Sequence, residues 1–124
     1  MARPAYKKED RLAQCQAELA RLATELSSIG FTSTGSLVER YTHCTSEGCH
    51  CNADPPRLHG PYWQWSRAVD GKTVSRRVPR QEVPLYQEWI ANRRRLRDVV
   101  AKMEAVSDEA TQLLLARTNE HPKE

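Results

Sequence analysis

Between Thr42 and Pro61 the chain offers no large apolar side chain except Leu58, yet this window holds Cys44, Cys49, Cys51 and His59. Their spacing is C-x4-C-x-C-x7-H, and it runs into the tetrapeptide His59-Gly60-Pro61-Tyr62. So little apolar surface cannot offset the entropy lost when a segment of this length is ordered. Three thiols and an imidazole are the donors a structural zinc ion takes, in a tetrahedron that needs no further ligand. The spacing therefore predicts a zinc knuckle held by Cys44, Cys49, Cys51 and His59. His43 and His50 lie near, but each abuts a cysteine, and adjacent residues rarely both reach one tetrahedral ion. His59 is the expected fourth ligand.

Two other uses of cysteine are weaker. Disulfides need an oxidising compartment, and the opening Met-Ala-Arg-Pro-Ala-Tyr-Lys-Lys has no apolar stretch of the kind a secretory signal carries. No run of ~18 apolar residues offers a membrane span. A cytoplasmic, reduced protein is the expectation. Thioredoxin-like redox chemistry uses C-x-x-C, whereas Cys49-His50-Cys51 has one intervening residue and no βαβ surroundings.

On either side of this window the pattern is helical. Leu12, Cys15, Leu19, Leu22, Leu26 and Ile29 recur at alternating intervals of three and four, an a/d seam that ends before Gly30. Cys15 sits on that seam as a small apolar residue. A second helix is predicted from between Arg80 and Leu85 to about Arg117, with Pro84 tolerated in its first turn. Trp89, Leu96, Met103 and Ala110 are spaced by sevens, and Ile90, Val100, Val106, Leu113 and Leu114 broaden the stripe. At 1.5 Å per residue it would be roughly 50 Å long. With a single Phe and a mean hydropathy of -0.74, the chain suits helices meeting along narrow seams. Antiparallel pairing of unequal helices leaves part of the longer one uncovered, which predicts a homodimer or packing on another protein.

The middle of the chain alternates as strands do. Phe31 to Ser36 reads as a connector, and Leu37 to Tyr41 as a short strand or extended segment. Asp70-Gly71 lies between Tyr62–Val69 and Lys72–Val78, and Asp-Gly favours a type I′ hairpin turn because both central residues need positive φ. That turn pairs Trp63 with Val78, Trp65 with Arg76, Arg67 with Val74 and Val69 with Lys72. Trp63, Trp65, Val69, Val74 and Val78 then share one face, which must lie on something because an isolated hairpin is marginal in water. Trp65 opposite Arg76 suggests a cation–π pair.

The expected fold is mainly α with a small β part. It divides into an N-terminal coiled-coil helix (1–30), a zinc knuckle with a basic β-hairpin (31–80) and a long C-terminal helix with a frayed tail (81–124), the helices packing as an antiparallel coiled coil.

Gly35-Ser36-Leu37, Arg40-Tyr41, Cys44, Cys49-His50-Cys51 and His59-Gly60-Pro61-Tyr62, followed by Gly71-Lys72-Thr73, Arg76 and the Tyr86 to Leu96 helix, resemble a family of small bacterial proteins. Its members read G-S-L-x-x-R-Y-x-x-C-x4-C-x-C…H-G-P-Y and form a domain-of-unknown-function group often met in mobile elements and phages. The resemblance covers about residues 35–107 and leaves the first helix outside. It implies that Cys44, Cys49, Cys51 and His59 act as a unit, and it implies no activity.

Charge then points to a partner. Residues 57–80 carry six basic side chains against Asp70 alone, a net +5, while residues 101–124 are net acidic by two. A zinc-stapled basic hairpin can neutralise phosphates and release their counterions. Nucleic acid, with DNA as the expected form, is therefore the predicted partner, and Arg67, Lys72, Arg76, Arg77 and Arg80 the predicted contacts. The alternative is a coiled-coil adaptor that docks on a protein such as a recombinase without touching nucleic acid. No enzyme is expected: a Cys₃His site leaves zinc no open position, and no H-E-x-x-H, paired-carboxylate or glycine-rich phosphate motif is present.

Overall fold

The computed structural model describes residues 8–43, 48–52 and 57–120. In chain order they form helix α1 (Lys8–Ser27), strand β1 (Ser36–Thr42), a one-turn 3-10 helix (His50–Asn52), strands β2 (His59–Val69) and β3 (Lys72–Val78), a second 3-10 turn (Arg80–Glu82) and helix α2 (Val83–Glu120). These group into two units. One joins the residues up to Gly30 with those from Arg94 onward, and the other runs from Phe31 to Arg93. None of the described helices is long and apolar enough to cross a membrane.

In the helical unit the predicted seam forms except at Leu19, which is 38% exposed. Glu9 and Asp10 stand in the first turn of α1, where carboxylates complement the positive end of the helix dipole. Cys15 and Leu22 are buried, and Leu12, Leu26 and Ile29 are half-buried. On α2 the inward positions are Leu96, Val99, Met103, Val106, Ala110 and Leu113, again alternating by three and four. Val99 is 1% exposed and Val100 37%, so the core valine is Val99 rather than the predicted Val100. A strict alternation from Leu96 selects position 99, which spacing by sevens from Trp89 passes over. The helices run antiparallel: Lys8 pairs with Glu120 near one end, Arg11 with Glu109 further in, and Arg95 with Glu25 near the other.

The second unit is a three-stranded antiparallel sheet in the order β1-β2-β3. The hairpin has the predicted register, Trp63 opposite Val78 through Val69 opposite Lys72. Asp70 and Gly71 take φ of 50° and 78°, as a type I′ turn requires. β1 is a full partner of β2, with Leu37 opposite Trp65 and Glu39 opposite Trp63, so the expected two-stranded ribbon is a sheet with β2 at its centre. This pairing crosses the long cysteine loop, and no local alternation encodes it.

Val78 joins Val83, Tyr86 and Ile90 of α2 in a buried core, with Leu37, Trp63, Trp65 and Trp89 packed against it. The apolar sheet face therefore lies on the first turns of α2. Val69 and Val74, near the hairpin tip, stay exposed at 37% and 45%. The connector is pinned to the same helix: the Ser33 amide donates to the Trp89 carbonyl at 3.1 Å and Asn92 Nδ2 to the Phe31 carbonyl at 2.8 Å. The first turns of α2 thus cover the sheet, and the remainder of the helix accompanies α1.

Candidate metal centre

The site grows from the start of the central strand. His59 opens β2 opposite Thr42, and the pairing shifts register between Arg40 and Thr42. At Gly60, φ is 129° and a Cβ would stand 2.7 Å from the Arg40 carbonyl oxygen, so only glycine allows the strands this approach. The cysteine segment meets the strand here. Cys49 is half-buried, His50 begins the one-turn helix, and Cys51 is fully buried upon it. The Arg57 amide donates to the His50 carbonyl at 3.0 Å.

Cys49 Sγ lies 3.1 Å from His59 Nε2 and 3.9 Å from His50 Nδ1. The three donor atoms all fall within 4.8 Å of one another. The two imidazole rings meet edge on, with centroids 4.9 Å apart and planes at 61°. Bond lengths at zinc imply roughly 3.6 Å between a sulfur and a nitrogen on one tetrahedral ion, so the thiol-to-ring spacings bracket what an ion needs. Thiolate and imidazole together suit zinc and its neighbours, and do not suit calcium or magnesium. These residues can hold a metal ion. Of the predicted ligands, Cys49 and His59 come together and Cys51 is buried in the same segment, while Cys44 lies outside the described residues. His50, set aside because it abuts a cysteine, faces Cys49. Adjacent side chains diverge in a strand, but entry into a 3-10 turn rotates successive residues by only about 120°.

The five predicted phosphate contacts do not share one face. Strand alternation puts Arg67, Lys72 and Arg76 on the side of the sheet that carries the tryptophans, and Arg77 on the other. Arg76 Nη2 donates to Glu82 at 2.6 Å and to the Tyr86 hydroxyl at 2.8 Å, with its guanidinium 5.6 Å from the Tyr86 ring centre. Arg67, not Arg76, covers Trp65, at 4.8 Å. Arg80 stands on the 3-10 turn that leads into α2.

Arg77 lies 4.1 Å over the Tyr62 ring on the outer face. Opposite Tyr62 on that face is Arg40, which sequence reasoning missed, and its Nη1 donates to Gln64 at 3.2 Å. The hydroxyls of Ser66 and Ser75 pair at 2.9 Å further along. By register the outer face bears Ser36, Val38 and Arg40, then Tyr62, Gln64, Ser66 and Ala68, then Thr73, Ser75 and Arg77, with no carboxylate among them, since Glu39 of β1 lies on the tryptophan side. Arg40 was detectable only as an even-numbered position of a strand whose partner was unknown.

A family model described as a domain of unknown function (DUF6788) matches residues 8–88, from the first residue of α1 into the first turns of α2. The match takes in α1, which the sequence resemblance had left outside. No curated protein and no solved structure matches the chain.

Proposed function

The chain belongs to the DUF6788 family, whose description carries no activity, and we propose from its own residues that it is a zinc-stabilised nucleic-acid-binding module. The outer face of its sheet lies on the phosphate backbone. The observation that carries this reading is the face itself: Arg40 and Arg77 flank Tyr62 and Gln64, hydroxyl side chains continue the surface, and no carboxylate interrupts it. Phosphates favour such a surface because each neutralised charge releases condensed counterions, and serine, threonine and glutamine add uncharged donors to phosphate oxygens. Arg76, held by Glu82 and Tyr86, serves the fold. The Cys/His loop at the other end of β2 binds zinc and sets where the strand begins. DNA is the expected polymer, and an accessory role in a mobile element is the setting.

The test is an electrophoretic mobility shift of zinc-loaded protein on double-stranded DNA, single-stranded DNA and RNA at two salt concentrations. An Arg40→Ala/Arg77→Ala variant is run alongside. The expected result is a salt-sensitive shift that the variant loses. No shift on any of the three at low salt overturns the reading. It would favour instead an adaptor that docks on protein, for which Phe31, 86% exposed, is the aromatic anchor the surface offers.

A further inference from the structure

We propose that His50 is a metal ligand, so that Cys49 Sγ, His50 Nδ1 and His59 Nε2 form one face of the coordination sphere of a single borderline divalent cation. This rests on the metal-binding reading of the loop and changes its ligand set from one imidazole to two. The three atoms lie within 4.8 Å of one another, and both thiol-to-ring spacings, 3.1 and 3.9 Å, are near the separation that bonds to one ion impose.

Hydrogen bonding alone satisfies this cluster poorly. A thiol has one proton for two ring nitrogens, so the second contact has to be a ring N–H donating to sulfur, which accepts only weakly. A cation satisfies all three donors at once. The rings meet edge on at 61°, which lets the Nδ1 edge of one and the Nε2 edge of the other face a common point. Ordering the exposed His50 and its segment costs entropy that so little apolar surface cannot offset, and bonds to an ion would supply that free energy. The ligands come from both sides of the loop: Cys49 and His50 before its end, and His59 on the first residue of β2. One ion thus ties the loop to the sheet. Two nitrogen donors favour zinc, cobalt or nickel over the softer ions that an all-thiolate site selects.

The 3.1 Å approach of Cys49 to His59 would also suit a cysteine nucleophile paired with a base, and the experiment separates the two. Metal-free full-length protein is titrated with Co²⁺, whose thiolate charge-transfer and d–d absorption report ligand number and type. Zinc-loaded protein is examined by X-ray absorption for imidazole scattering. Far-UV circular dichroism checks that each variant is folded. Wild type is expected to take up one Co²⁺ and to show two imidazoles. His50→Ala should lose one of them, shift the d–d bands and weaken Co²⁺ binding by at least about ten-fold, the least that loss of even an outer-shell partner costs. His43→Ala should change none of these.

If His50→Ala keeps the wild-type spectrum and affinity while His59→Ala abolishes binding, His50 is not a ligand and the metal site survives without it. If wild type takes up no Co²⁺, both the inference and the metal reading fail. Iodoacetamide labelling mapped by mass spectrometry gives an independent outcome. Metal should protect Cys49, and equally fast labelling of Cys49 with and without metal would overturn the proposal in favour of the nucleophile pair.

Discussion

Residues of one type divide by what they touch. Arg76 and Arg77 are neighbours in sequence, yet the first grips Glu82 and Tyr86 on the helix side of the sheet and the second lies on Tyr62 on the outer side. The proposed function predicts that they fail differently. Arg76→Ala should lower stability by up to about 1 kcal/mol, as loss of a half-exposed ion pair does, and leave the salt dependence of nucleic-acid binding unchanged. Arg40→Ala and Arg77→Ala should each flatten the log–log salt slope by about one unit with little change in stability. Urea melts and salt-series binding curves on the three variants check this, and a flattened slope for Arg76→Ala would count against the proposed face. Composition showed that the region is basic. Which arginines are available depends on strand parity and on what packs beneath.

At the scale of the element, the two helices test whether the seam carries the helical unit. Val99→Ala should cost about 2 kcal/mol, because it removes two buried methyl groups where few atoms can move in. Val100→Ala should stay within about 0.5 kcal/mol. Chemical denaturation followed at the helical circular-dichroism signal distinguishes them. The helices are also joined by polar groups whose titration has a definite sign. The hydrogen bond from Arg11 holds the Glu109 carboxyl below the usual range, and its contacts with Cys15 and the Arg11 charge act the same way against partial desolvation. A folded-state pKa that is lowered contributes stability above the unfolded value, and this is lost as the pH falls through the folded one. The wild-type melting temperature should therefore drop more steeply between about pH 5 and pH 3 than that of Glu109→Gln. Parallel slopes would show that the Arg11–Glu109 pair adds nothing. Cys15 has the opposite sign. Burial, then the hydrogen bond and charge of Glu109, raise its thiol, so its contribution is lost as the pH rises from the unfolded thiol value through the raised one.

The whole molecule offers two optical reporters that weight its units differently. Trp63, Trp65 and Trp89 are its three tryptophans, and all lie in the sheet unit, whereas α1 and most of α2 lie in the helical one. The proposed function therefore predicts that chelation of the metal shifts tryptophan emission and removes nucleic-acid binding while most of the helical signal persists, since metal binding and local folding share one free energy. Loss of both signals together would mean that the units fold as one. By itself the sequence determined the two helices, the turn at Asp70-Gly71, the hairpin register and the concentration of metal-ligating residues before β2. All of these follow from periodicity or turn chemistry within a few residues of chain. Tertiary structure alone decided that β1 joins the sheet, that α2 divides between two units, that His50 faces Cys49, and that Arg40 rather than Arg76 shares a face with Arg77. Each of these depends on segments far apart in sequence meeting in space, where one position's shift in register or one turn of helix reverses the side chain that is presented.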